Sequence, residues 1–161
     1  MTSIGVRVNL KIGDFKRFQR EINTGTGRFQ VGLRMAVIRY RTFIQRRYNR
    51  FSRGGGDWAP LKSREGSILR DTNTLFTALS PTFEPIAGSR NKPIPFGFEV
   101  GYGGSATHGG DGPTIVQLAI WHQTGAGYLP AREIIVVPDV STAKAMARDM
   151  ERVLNSDNPI S

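Results

Sequence analysis

Histidine is the side chain that titrates closest to neutral pH, so a search for chemistry begins with the two this chain carries. His122 lies in an apolar run, Ile120-Trp121-His122-Gln123-Thr124-Gly125, where it could act as a general base or a metal ligand. The competing reading is a packed ring whose nitrogens bond to backbone or to a side chain, and the shortage of partner residues favours it. His108 sits among glycines, so a metal site using both histidines would require that glycine loop to fold back. The chain has no cysteine, which excludes disulfides, thiolate catalysis and cysteine-ligated zinc or iron–sulfur centres.

Other nucleophile and cofactor patterns are missing as well. No serine stands in a Gly-x-Ser-x-Gly elbow. Gly101-x-Gly103 and Gly125-x-Gly127 lack the third glycine and the helix-opening lysine of a phosphate cradle. The carboxylates are scattered, with Asp149 and Glu151 on an amphipathic C-terminal stretch. The residue types therefore predict a non-enzymatic chain with no catalytic, cofactor or metal site.

Charge is more informative than chemistry. The net charge is +9, distributed as +3 over residues 1–27, +8 over residues 28–53 and −2 over residues 54–161. The middle segment holds eight arginines and no acid. Such asymmetry predicts a basic surface that meets either an acidic neighbouring subunit or nucleic acid. Within that segment Arg34, Arg39, Arg41, Arg46, Arg47 and Arg50 are the contact candidates, because arginine pairs equally well with carboxylate and phosphate. Tyr40 and Tyr48 share the apolar stripe and are expected in the core rather than stacked on bases.

The elements that must carry these groups follow from periodicity. At 161 residues the chain fits a single domain over 1–161, with no apolar run long enough to span a membrane and no secretory pattern at the N-terminus. Ile4 to Leu10 alternates as a half-buried strand does. Phe15 to Ile22 has the spacing of a short helix capped by Asp14. Leu33, Val37, Tyr40, Ile44, Tyr48 and Phe51 step by three or four residues and predict a long helix from Arg28 to about Phe51. A short helix is expected from Thr72 to about Leu79, capped by Asp71 or Thr72 and stopped by Pro81. Residues 81–95 read as an irregular loop or hairpin arm, and residues 103–114 as a mobile glycine-rich loop. Phe96 to Tyr102 and Ile134 to Val137 read as strands, while Ile115 to Trp121 fits a strand or a short helix. Ala143, Met146, Ala147, Met150, Val153 and Leu154 predict a C-terminal helix capped by Ser141. The order gives an α+β fold: a mainly antiparallel sheet with a long helix in the N-terminal half and a C-terminal helix packed on one face.

Five short blocks occur in a distinctive order: Trp58-Ala59-Pro60-Leu61, Leu69-Arg70-Asp71-Thr72-Asn73-Thr74-Leu75, Val100-Gly101, Ile120-Trp121-His122-Gln123-Thr124-Gly125 and Leu129-Pro130-Ala131-Arg132. This combination resembles the virion-morphogenesis and tail-completion proteins of tailed bacteriophages, and the blocks span nearly half of the chain. The departures are Asn73 where glycine is common, Glu133 in place of a second proline, Trp121, and the glycine loop before Ile115. Each block also has a local reading. Trp58 and Leu61 anchor a loop, Asp71 caps a helix, His122 and Gln123 offer hydrogen-bonding groups, Gly125 permits a turn, and Pro130 sets a rigid entry that aims Arg132 across a subunit boundary.

The resemblance implies a structural virion protein without cofactor, forming a homo-oligomeric, hexameric ring at the head–tail neck or the upper end of the tail. It further implies assembly in the host cytoplasm, contact with neighbouring neck and tail proteins, and non-specific contact with packaged DNA. The basic composition alone supports a second expectation, a small nucleic-acid-binding protein.

Overall fold

A computed structural model describes residues 4–9, 27–59, 73–82, 86–94, 97–126 and 129–156. The uninterrupted apolar stripe between Gly27 and Ser52 forms the longest element, helix α1 (Gly27–Ser52). Its buried side holds Leu33, Val37, Tyr40, Ile44 and Tyr48, the stripe predicted by spacing. The expected short helix near residues 15–22 lies outside the described residues.

Strands β1 (Ile4–Asn9), β2 (Ser89–Ile94) and β3 (Gly97–Tyr102) form a three-stranded antiparallel sheet in the order β1-β3-β2. The register sets Val6 opposite Val100 and Asn91 opposite Val100 on the other side. Alternation along β3 buries Phe98, Val100 and Tyr102, and β3 packs on α1. The stretch expected to be an irregular loop or hairpin arm thus ends in a hairpin strand. Pro93 is tolerated there because β2 is an edge strand, where a missing N–H need not leave a ladder bond unmade.

Helix α2 (Thr74–Thr77) is shorter than the expected Thr72–Leu79. Asn73 precedes it in the left-handed region (φ 56°) and gives no side-chain cap, a conformation asparagine tolerates. Tighter turns then run on to Ser80 through Leu79 N–H to the Phe76 carbonyl and Ser80 N–H to the Thr77 carbonyl.

Helix α3 (Ile115–Thr124) resolves the open choice over Ile115 to Trp121. A capping box decides it: the Thr114 hydroxyl accepts from the Gln117 N–H while the Gln117 carboxamide accepts from the Thr114 N–H. The glycine segment before it, expected to be mobile, closes as a turn across a Thr107–Thr114 bridge. Hydrogen bonds from His108 N–H to the Pro113 carbonyl and from Ile115 N–H to the Ala106 carbonyl replace the apolar burial this sequence cannot supply.

Helix α4 (Val140–Leu154) begins on Asp139 rather than Ser141, because the Asp139 carboxylate accepts from the Thr142 N–H. It packs principally on α1, so α1 lies between α4 and the sheet. Gly32 marks a close approach of the helices: a Cβ there would come within 2.7 Å of Met150 Sδ. Of the α4 core residues, Met146 lies at the middle of the helix and Met150, Val153 and Leu154 in its C-terminal half.

Residues 134–137 are not a strand. Ile134 and Ile135 are buried, but their backbone is satisfied by the Gln123 side chain instead of a neighbouring strand. Tyr40 Oη donates to the Val136 carbonyl, and Tyr102 Oη donates to the Leu75 carbonyl, so two buried phenols fix irregular segments to the core.

Arg41 contradicts the expectation of a contact surface, since it is fully buried. Its guanidinium donates to the Ser80 carbonyl (2.8 Å), Ser89 Oγ (2.9 Å) and Asn91 Oδ1 (3.1 Å), with a longer bond to the Ala78 carbonyl. Burial lowers its pKa to about 10, which leaves it charged at neutral pH. Replacing Arg41 with alanine would orphan these acceptors, and chemical denaturation should report a loss of roughly 3 kcal/mol or more.

Candidate functional site

Two groups of residues bear on function. The first collects most of the short sequence blocks into one structural lock. Trp58 is buried against α1, with its ring edge-on to Tyr48 (centroids 5.1 Å apart) and to Phe51 (5.7 Å). The following carbonyl, of Ala59, accepts from Arg132 Nη2 at 3.1 Å and from Arg132 Nε at 3.3 Å. Arg132 N–H in turn donates to the His122 carbonyl at 2.6 Å. Arg132 is therefore an internal clasp, only 4% exposed, and not a side chain aimed across a subunit boundary. The correction has a simple cause: the chain after Pro130 runs back along α3, which directs Arg132 toward the Trp58 loop.

Gln123 stands in the last turn of α3 and not at a strand end. Its Oε1 accepts from the N–H groups of Ile134 and Ile135, and its Nε2 donates to the Ile135 carbonyl. Gly125 caps the helix with φ 73°, and a Cβ there would lie 2.8 Å from the Ala131 nitrogen. Both the dihedral and the close backbone approach require glycine. Pro130 is half-buried in the irregular stretch that leads to Arg132. Leu61 and Asp71 lie outside the described residues.

His122 is held differently from the expected hydrogen-bonded ring, because its Nδ1 is buried without a hydrogen-bond partner among the described residues, as is Trp58 Nε1. Burial, aided by the positive charge of Arg132, lowers the His122 pKa to about 4. The ring is neutral at physiological pH. Among the described residues no group of three or more His, Asp or Glu side chains is placed to hold a metal ion, and no helix is long and apolar enough to cross a membrane.

The second group is the arginine face of α1. Arg39 donates to the Asp149 carboxylate of α4, which also accepts from Arg152. Arg47 donates to the Glu133 carbonyl and lies 4.2 Å from the centre of the Phe51 ring. Arg50 donates to the Gly55 carbonyl. Arg34 and Arg46 are exposed, and Arg46 faces the groove between α1 and α4. Of the α1 arginines named as contacts, Arg41 is a core residue, Arg47 is half-buried, and Arg34, Arg39, Arg46 and Arg50 are exposed, Arg39 and Arg50 while bonding to their own chain.

Between α1 and the N-terminal half of α4 lies a groove of about 920 Å³. Its floor is apolar, with Met35, Ile38, Phe43 and Phe51, and arginines 46, 47 and 50 line the α1 side. Val137 and Val140, near the start of α4, are 76% and 70% exposed, and Trp121 on α3 is 40% exposed. The α4 side of the groove adds Asp139 and Asp149, and an apolar floor between arginines has the composition of an association surface. Sequence reasoning missed Asp149, although a signal existed: its position beside Met146, Met150 and Val153 turns it toward the acid-free helix.

The His122 environment carries a pH signature. The unfolded chain binds a proton at this site near pH 6.5 and the folded chain only near 4, so the unfolded state gains protons first. The stabilisation is present in full above about pH 6.5 and is lost as the pH falls toward 4, by roughly 2–3 kcal/mol. Denaturation midpoints across that window should fall less steeply for His122→Gln than for the parent chain. No protein-family model, curated protein or solved structure matches this chain.

Proposed function

We propose that this chain is a non-enzymatic structural protein of a tailed-phage particle, forming a homo-oligomeric ring at the head–tail neck or the upper end of the tail. The observation that carries this reading is the ordered set of blocks from Trp58 to Arg132, which resembles the virion-morphogenesis and tail-completion pattern. The geometry of the blocks supports it. Trp58, His122, Gln123, Gly125 and Arg132 serve one another through packing and hydrogen bonds, as framework residues do. That leaves the groove and arginine face of α1 as the surface for assembly, in a hexameric ring bounded by neighbouring neck and tail proteins. The protein is made in the host cytoplasm and ends in the virion.

A second reading rests on the arginine face itself. Arg46 and Arg50 of α1 and Arg53 in the turn that follows it stand at intervals of four and three residues, and all three are exposed. Such a stripe suits phosphates as well as carboxylates.

Mass spectrometry and electron microscopy of purified particles test the first reading. The expected outcome is a fixed copy number in intact virions and density for this chain at the neck or tail end. Its absence from intact virions would overturn the assignment. For the second reading, DNA affinity should fall with salt at a log–log slope of about −3 if the three arginines each neutralise one phosphate. No binding at low salt removes it.

A further inference from the structure

The glycine turn between β3 and α3 is closed by hydrogen bonds, with Ala106 at its base packed against the core. Besides the Thr107–Thr114 bridge, Gly112 N–H donates to the Gly109 carbonyl and Thr107 Oγ1 donates to the Gly110 carbonyl, each at 3.0 Å. Beyond the bridge the chain closes in a tight turn over residues 109–112. Gly109 and Gly110 face open space, since a Cβ added at either would meet nothing within 4 Å. Asp111 at this tip is exposed and has no ion pair or hydrogen bond among the described residues. Fixing a chain this rich in glycine costs more conformational entropy than fixing other compositions, and the tip itself, Gly109 to Asp111, has no apolar side chain to offset it.

The complementary feature is the α1–α4 groove. None of residues 103–114 lines it, so the two features occupy separate parts of the surface. Arg46 on its rim is exposed with no carboxylate partner among the described residues. Residues 107–114 carry one acid and no lysine or arginine, whereas the groove sets Arg39, Arg46, Arg47 and Arg50 against Asp139 and Asp149, of which Asp149 is already paired with Arg39. A tip made of Gly-Gly-Asp-Gly is slim enough to enter between helices and delivers one carboxylate at its end.

We propose that the residue 107–114 arm of one copy seats in the α1–α4 groove of the next, with Asp111 meeting Arg46 and Arg50. The inference rests on the ring reading above and supplies its contact. Arm and groove are different surfaces, so the contact is heterologous, the class that repeats by rotation into a closed ring. Duplex DNA is the competing occupant of the groove and is separated from a second copy by the test.

Sedimentation of the parent chain, Asp111→Arg, Arg46→Asp and the double charge swap at low ionic strength provides that test. Each single variant should weaken self-association by roughly tenfold or more, and the swap should recover most of it. Single variants that associate as the parent does would overturn the arm contact and leave the ring reading standing, and so would weakening by Arg46→Asp alone together with lost DNA binding. A parent chain that stays monomeric at every concentration overturns both. Because the chain has no cysteine, a mixture of Asp111→Cys and Arg46→Cys chains gives an independent readout. Mild oxidation should yield a cross-linked heterodimer in the mixture, and its absence likewise counts against the contact.

Discussion

A buried guanidinium organises this domain. Arg41 sits midway along α1 and binds, at once, the carbonyls that follow α2 and two side chains of β2. An isolated cation in a low-dielectric interior would cost several kcal/mol, and only a full set of acceptors makes the position tenable. Those acceptors must come from the turns after Thr77 and from the edge strand, so the placement of both is tied to one side chain. Hydrophobic packing along Tyr40, Ile44 and Tyr48 supplies most of the driving force, but it is not directional; the arginine sets the relative position of the three segments.

The elements with strong periodicity were legible in the sequence. α1 extends one residue beyond the expected range at each end, because an apolar stripe over six turns has no alternative conformation that buries it. The α+β architecture followed from the order of the elements. Boundaries set by single hydrogen bonds were less legible. Ser141 and Asp139 are both good caps, and only the geometry of the chain before α4 selects the aspartate. Residues 134–137 read as a strand since their composition is that of a strand, yet the partner that satisfies their backbone is a side chain eleven residues back, which pattern reasoning does not anticipate.

The candidate site was legible in part. Arginines on α1 were visible as a group, but their separation into core, half-buried and exposed members depends on what lies opposite each. Arg41 falls on the apolar side with Tyr40, Ile44 and Tyr48, a position that argued for burial; the run of like charges drew attention away from it. Arg132 was assigned to the outside on the strength of a rigid turn, and the fold turns it inward. Charge compensation for the acid-free helix was expected from outside α1, and Asp149 of α4 and the carbonyls of Glu133 and Gly55 provide part of it.

Gln123 holds Ile134 and Ile135 in a manner that shifts where selection acts. A strand distributes its registration over many equivalent backbone bonds, so its sequence must keep β-forming character throughout. Here registration rests on a few side chains, chiefly the Gln123 carboxamide with its donor and acceptor groups, and the Tyr40 hydroxyl at the Val136 carbonyl. Residues 134–137 are thereby released to vary among apolar types without regard to strand propensity, while position 123 tolerates almost no change: glutamate would lose the donor, and asparagine the length. Substitution should accordingly be tolerated at 134–137 among apolar types and resisted at 123.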